Sequence, residues 1–418
     1  MSLPCANKLV LGLLFALVGC ADWEHSDEAG QGGAPTAQGG GGGLSNIGGM
    51  GGSTSQNGGS SCTLPPGVAS VVPRGLHAVG NELQDANGEV VRLRGVNRSG
   101  TEYACTSNSG FFDGPSDDVS IRALLSWNVN AVRVPLNESC WLSISGAPAR
   151  FSGDAYKTAI KDFVQRLENA GLIPILELHR AAPADVAATK LFPMPNADHT
   201  PEFWRDVATT FLDDDAVVFE PYNEPYPDRN RDTEAAWACW RDGCTMPAST
   251  SGGYPEYQAV GMQELVSAIR SVGSTHLILL GGVQYSNALS RWLSYAPQDP
   301  LNNIGAAWHV YNFNACANAT CWNNNAAVVA AQVPLVATEI GQDDCAATMV
   351  TPLMQFLDAQ KAGYLAWWWN VSSMPCTPNG PMNRGDGPPF SLITDYSCPI
   401  PKSPFAQAIY DHFTQVTP

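Results

Sequence analysis

Eight short apolar runs constrain this chain more than any other feature. They fall at 91–97, 131–135, 173–178, 217–222, 277–280, 304–308, 335–338 and 364–368. Runs of this length, rich in β-branched and aromatic residues, read as buried strands. Amphipathic segments lie between them. Over 154–170 the residues Tyr156, Ile160, Phe163, Val164 and Leu167 follow helical spacing, and Gly171 supplies a stop. Further helices are predicted from Thr200-Pro201, with Thr as N-cap and Pro at the first helical position, over 255–272, over 347–362, and from Ser403-Pro404. Strands alternating with helices specify a parallel sheet, either closed as a barrel or open and doubly wound. An open nucleotide-binding sheet needs a Gly-rich turn after its first strand, and Gly95-Val96-Asn97-Arg98-Ser99-Gly100 lacks that pattern. The expected fold is therefore α/β, a (β/α)8 TIM barrel. An N-terminal β-hairpin precedes it over 76–93, with its turn at Asn87-Gly88.

Ahead of the barrel the composition changes. Leu9 to Val18 is apolar apart from Gly, follows Lys8, and is too short to span a bilayer. It reads as the core of an export signal. It ends in Leu17-Val18-Gly19-Cys20, which resembles the lipobox of bacterial lipoproteins. That resemblance implies cleavage before Cys20 and lipidation of its sulfur. From Gly30 to about Ser61 the chain is almost wholly Gly, Ser, Ala, Gln and Asn, too polar to offset its ordering entropy. The expected organisation is a signal peptide over 1–19, a flexible tether over 20–64 and one barrel domain over 65–418. The protein is expected at the cell surface or membrane-anchored, and otherwise secreted.

A net charge of −17 argues against nucleic acid, because phosphates would be repelled. Neutral polysaccharide is compatible with it. Setting aside Cys5 and Cys20 leaves ten cysteines, an even number that suggests disulfides in an exported protein. Cys239–Cys244 and Cys316–Cys321 could each close a small loop. No CxxC or Cys/His cluster with zinc spacing is present, and Asp213-Asp214-Asp215 reads as a solvated turn.

Polar residues follow the apolar runs in a ring. The second run carries Arg133 and the third ends in His179. The fourth leads into Asn223-Glu224 and the sixth into His309 and Tyr311. The seventh leads into Glu339, and the eighth holds Trp367, Trp368, Trp369 and Asn370. Each has a plain structural reading: Asn223 could cap a loop, the histidines could be satisfied core residues, and the tryptophans could be core. Together they are harder to explain that way. In a parallel barrel the C-terminal strand ends form the catalytic face. Two carboxylates there are what glycosidic cleavage requires.

The set resembles glycoside hydrolase family 5, the family of many bacterial cellulases, over about residues 70 to 415. The motifs are Val132-Arg133-Val134-Pro135, Leu178-His179, Asn223-Glu224-Pro225, His309-Val310-Tyr311, Thr338-Glu339 and the Trp367–Trp369 run. The resemblance implies retaining hydrolysis, with Glu224 as acid/base and Glu339 as nucleophile. It further implies that Arg133 and Tyr311 hold the nucleophile and that His309 partners the acid/base. Asn223 would bond the sugar 2-hydroxyl, His179 would bond the sugar, and Trp369 would stack under its ring. Tyr226 departs from the family, where His often follows Asn-Glu-Pro, and the Cys-rich loops after the fourth and sixth strands are not general to it. Trp141, Trp237, Trp240 and Trp322, near cysteines, could be outer sugar platforms or pack on disulfides.

The leading expectation is an endo-β-1,4-glucanase acting on polysaccharide as a monomer. It would need no cofactor or metal and would touch the membrane only through the lipid at Cys20. A β-mannanase or other β-glycanase is the nearest alternative. A non-catalytic sugar-binding surface lipoprotein is the alternative of another class; it would be expected to lack one of the glutamates, and both are present.

Overall fold

A computed structural model of the chain describes residues 64–65, 71–372 and 390–416. The predicted export signal, Cys20, nearly all of the predicted tether, and Cys5, Cys62 and Cys376 lie outside the described residues. The strands of the barrel are β1 (Arg94–Asn97), β2 (Ala131–Asn137), β3 (Ile173–Arg180), β4 (Val218–Glu220), β5 (Ile278–Gly281), β6 (Ile304–Tyr311), β7 (Leu335–Gly341) and β8 (Gly363–Ala366). All are parallel to their neighbours and pair in chain order, with β8 returning to β1 to close the cylinder. Every predicted run supplies one strand. Four strands, β2, β3, β6 and β7, run two or three residues past their predicted ends, and β5 runs one past. The polar residues there mark the end of a half-buried strand, but in a barrel they face a lumen that can bond them.

Helices connect the strands outside. Asp154–Asn169 and Pro404–Gln415 stand where their patterns place them, and the Ser403 side chain accepts a hydrogen bond from the Ala406 amide. The 347–362 segment is helical over Val350–Ala359. Thr200 is not an N-cap. It is the first residue of Thr200–Thr210, preceded by His199, and its hydroxyl donates to the buried carboxyl of Glu138 at 2.5 Å. A buried carboxyl needs donors more than an exposed amide needs a cap. The 255–272 segment is also divided. Tyr257–Ala259 is a strand paired antiparallel with Cys244–Met246, and the helix begins at Met262. The Cys239–Cys244 disulfide ends the Glu234–Asp242 helix where this small sheet starts. Among the described residues no helix is long and apolar enough to cross a membrane.

The hairpin before the barrel has two turns rather than one. His77–Val79 pairs with Glu82–Gln84 around Gly80-Asn81. Asn87-Gly88 lies in a second turn, where Asp85 Oδ1 accepts from the amides of Asn87 and Glu89, each at 2.9 Å. An Asp side chain that mimics a turn carbonyl builds this loop on its own. Leu76 and Leu83 of the hairpin, with Val72, pack on Ile173, Ile175, Val218, Leu279, Val336 and Leu365. The hairpin therefore plugs the N-terminal end of the barrel, and a second apolar shell fills the space between strands and helices.

Candidate active site

Side chains of a strand alternate between faces, so residues two apart share the lumen. Two positions beyond the apolar floor the lumen turns polar. Ala131 is followed by Arg133, Ile175 by Glu177, Val218 by Glu220, Ala307 by His309 and Val336 by Thr338. All five of these polar side chains are wholly buried.

Arg133 is the hub, and all five of its N–H donors are committed. Its Nε donates to Glu220 Oε2 at 2.6 Å, and Nη2 donates to Glu220 Oε1 at 3.2 Å and to Asn223 Oδ1 at 2.9 Å. Its Nη1 donates to Asn97 Oδ1 at 2.9 Å and to Glu339 Oε1 at 2.7 Å. Glu177 Oε1 lies 3.5 Å from the same nitrogen. A planar guanidinium suits this task because its donors are fixed in one fork.

A bulge in β7 places Glu339. From Ala307 to His309 is two residues on β6, while the partners Val336 to Glu339 span three on β7. The β8 side shows the same extra residue, between Ala337 and Ile340. Thr338 and Glu339, though consecutive, therefore both reach the lumen network. Glu339 takes a hydrogen bond on each oxygen, from Arg133 and from Tyr311 Oη at 2.5 Å. Burial, and then the neighbouring Glu339 and Glu224, push the Tyr311 phenol well above its ordinary range, so it remains a donor.

Glu224 lies just beyond β4 and is part-exposed. Its Oε1 is 2.9 Å from His309 Nδ1. The loop after β5 braces it on both sides. Gln284, Tyr285 and Ser286 all have φ between 57° and 59°. In this turn the Tyr285 amide donates to Pro225 O at 3.1 Å and Ser286 Oγ to Asn223 O at 2.8 Å. Gly281 is required for the approach, since a Cβ there would lie 2.2 Å from Ser286 Oγ. Ser286 O in turn accepts from the His309 amide at 3.0 Å.

Donor atoms of Glu224, His309 and Glu339 lie within 4.8 Å of one another. Two carboxyl groups this close match the separation of about 5 Å that direct attack by one of them requires. A cation could use the trio only by displacing the bonds from Arg133, Tyr311 and His309. Burial lowers the His309 pKa, but the carboxylates of Glu339, Glu220 and Glu224 outweigh it and push it up to about 9. Burial raises Glu220, and Arg133 with His309 more than reverses that, holding it below its usual range. Glu177 is raised by burial despite Arg133 and His179. Its Oε1 bonds His179 Nδ1 at 2.6 Å, leaving Nε2 as the nitrogen available to a ligand, while Glu177 Oε2 has no hydrogen-bond partner among the described residues. Asn223 has its oxygen on Arg133 and offers its NH2.

Trp369 does not lie where a sugar could stack on it. It is 1% exposed and packs edge-to-face on Trp127 in the outer core, with ring centroids 5.1 Å apart. Past the end of β8 it is Trp367 that joins the site, clustering with Tyr311 and Phe390 and stacking on His179 with planes 11° apart. Trp141, Trp237, Trp240 and Trp322 are all buried, so they are core rather than outer platforms. Cys239–Cys244 and Cys316–Cys321 pair as expected, and Cys105–Cys140 ties the loop after β1 to the helix after β2. Cys345 and Cys398 are also disulfide-bonded. Asn97, Glu177, Glu220, Thr338 and Ser286 are the members of the network that the ring of strand-end residues omits. Glu177 and Glu220 did carry a signal, as charges inside the apolar runs Ile175-Leu176-Glu177-Leu178 and Val218-Phe219-Glu220-Pro221.

The model of the cellulase family, glycosyl hydrolase family 5, matches residues 84–373. The chain belongs to glycosyl hydrolase family 5. It is 20% identical over 307 residues to a mannan endo-1,4-β-mannosidase of Salipaludibacillus agaradhaerens, covering 72% of this chain and 82% of that one. In fold it is similar to the β-glucanase SdGluc5_26A of Saccharophagus degradans, solved with cellotetraose. That likeness has a TM-score of 0.59 at 18% identity and covers 87% of this chain and all of the other. A β-mannanase of Thermomonospora fusca shares the fold with a TM-score of 0.55 at 17% identity, covering 79% of this chain and 92% of that one. This family 5 protein is thus a glycoside hydrolase. Its two strand-end glutamates, Glu224 and Glu339, both face His309 Nδ1, at 2.9 and 3.5 Å, and are otherwise held by different partners.

Proposed function

We propose that this protein is a retaining endo-β-1,4-glucanase. Glu224 protonates the leaving oxygen and then deprotonates the incoming water. Glu339 attacks the anomeric carbon and forms the glycosyl-enzyme. The observation that carries the reading is the unequal holding of two adjacent carboxyls. Glu339 is fixed on both oxygens by donors, as an ionised nucleophile needs, and Glu224 shares a bond with a histidine that can exchange a proton with it. Asn223 and His179 keep an NH2 and a ring nitrogen for sugar hydroxyls, and Trp367 supplies the aromatic face. Glucan is placed first because the matching model is named for cellulase and a neighbour of like fold was solved with cellotetraose.

The test is reducing-sugar release from soluble cellulose, mixed-linkage glucan, mannan and xylan. Cleavage of glucans with retained anomeric configuration is expected. The Glu339→Gln variant should lose roughly 10^4-fold or more in kcat, as removal of a nucleophile commonly does. Substantial activity in that variant removes the mechanism, and cleavage of mannan alone replaces glucan with mannan. We also propose that the enzyme is exported and anchored through a lipid on Cys20, which the Leu17-Val18-Gly19-Cys20 sequence supports. Fatty-acid labelling of the wild type and not of Cys20→Ala is the expected result; equal labelling would discard the anchor.

A further inference from the structure

Thr338 stands between two groups of the lumen. Its Oγ1 is 3.2 Å from His309 Nε2 and 3.0 Å from Glu220 Oε1. A hydroxyl has one hydrogen to give, and a carboxylate can only accept. Glu220 is held as a carboxylate by Arg133, so the Thr338 hydrogen goes to Glu220 and Oγ1 accepts from His309 Nε2–H. The tautomer follows from this chain of bonds. With Nε2–H committed, the bond between His309 Nδ1 and Glu224 Oε1 contains a single proton. It rests on Glu224 when the ring is neutral and on Nδ1 when the ring is charged.

We propose that Thr338 is a positioning residue for the general acid: by fixing the Nε2–H form of His309, it makes that ring and Glu224 hold one mobile proton in common. The inference rests on the reading of Glu224 as acid/base and deepens it. In the first half-reaction that proton passes to the leaving oxygen as the glycosidic bond breaks. In the second, the attacking water returns one proton to the pair. The Nε2–H stays in place throughout. The β7 bulge is what permits this, because it brings Thr338 to His309 while Glu339 beside it reaches the reacting centre.

The ring is enclosed on every side. Glu220 on β4 lies 3.8 Å from Nε2, Glu224 beyond β4 lies 2.9 Å from Nδ1, and Glu339 on β7 lies 3.5 Å from Nδ1. Arg133 on β2 faces the same carboxylates, Glu177 on β3 lies beyond Arg133, and Tyr311 is two residues along the same strand. Burial disfavours a charged ring, yet the carboxylates raise its pKa to about 9. The alkaline limb of kcat/KM therefore belongs to the pair rather than to Glu224 alone.

Thr338→Val keeps the β-branched shape and removes the hydroxyl, and Thr338→Ser keeps the hydroxyl. On whichever of the four polysaccharides the wild type cleaves, Thr338→Val should move the alkaline limb down by about one pH unit, the scale of one lost hydrogen bond to a charged group. Its acid limb should stay, and Thr338→Ser should restore the wild-type profile. On a dinitrophenyl β-glycoside of the same sugar, whose leaving group needs no proton, Thr338→Val should keep a near-wild-type rate of glycosylation. An unmoved alkaline limb, a shift equally present in Thr338→Ser, or an equal loss on both kinds of substrate overturns the inference. Glu224→Ala is assayed beside them: if it too keeps full activity on polysaccharide, the acid/base reading fails. If only the Thr338 expectations fail, that reading stands.

Discussion

The lumen has two ends built on the same strands, and they obey different rules. At the floor, Ala131, Ile175, Val218, Ala307 and Val336, with Leu279 and Leu365, fill the barrel against the hairpin. Dispersion and burial there need only shape, so each side chain contributes nearly on its own. Two residues along the same strands, Arg133, Glu177, Glu220, His309 and Thr338 form a connected network in which each group is some other group's partner. Buried charges are tolerated only when paired, so removing one member changes all the rest. The difference teaches that in this barrel the floor can lose side chains one at a time, whereas the polar network proposed for catalysis holds only when complete.

Arg133→Met gives the sharpest test of that contrast. It should lower stability by about 3–5 kcal/mol near neutral pH by stranding buried carboxylates. The loss should shrink in acid as those carboxyls take up protons. Denaturant melts at several pH values check this, and a loss that ignores pH would mean that the network is not held by its charge. At the floor, Leu279→Ala should cost about 3 kcal/mol through lost burial and an unfilled cavity. Its kcat at 25 °C should stay close to the wild type; a parallel collapse of kcat would erase the division between the two ends.

The two ends should also differ in their response to alkali. The folded-state pKa of His309 is raised from 6.5 to about 9, against burial, by Glu339, Glu220 and Glu224. The stability it contributes is fully present below about 6.5 and is lost as pH rises through about 9. Melting temperatures across that window should fall in the wild type and in Leu279→Ala alike, and should fall less in His309→Asn. Equal slopes in all three would take the charge of His309 out of the account. The smallest effect is expected from Ser286→Ala, which loosens the brace on Asn223. A drop of about fivefold in kcat with KM nearly unchanged is the scale of one hydrogen bond. A change confined to KM would instead place Ser286 in substrate binding.

The barrel was legible because its eight runs are short, apolar and regularly interrupted. A network spread across separate strands is less legible. Asn223, Glu224, His309, Tyr311 and Glu339 stand out as polar residues just past run ends, Arg133 as a lone cation inside the second run, and the structure brings them together. Glu177 and Glu220 lie inside runs, where the apolar neighbours that announce a strand also conceal a lumen charge. Thr338 depends on a bulge, and one extra residue in β7 leaves no mark in the hydrophobic pattern. Trp367 and Trp369 differ only in which side of the sheet they face, and the eighth strand stops before either, so alternation could not choose between them. The double turn of the hairpin was hidden by a strong Asn-Gly signal beside an Asp that builds its own turn.

Arg133 sits in the middle of β2 yet bonds residues belonging to or following β1, β4 and β7, and approaches Glu177 on β3. A slip of β2 by one residue would turn its side chain out of the cylinder and into the apolar layer beneath the helices. Glu220 and Glu339 would then be enclosed without their cation, and the misaligned barrel would carry its own penalty. The constellation proposed to cleave a sugar is also a proofreader of closure, telling a correctly registered cylinder from one closed a single step out of line.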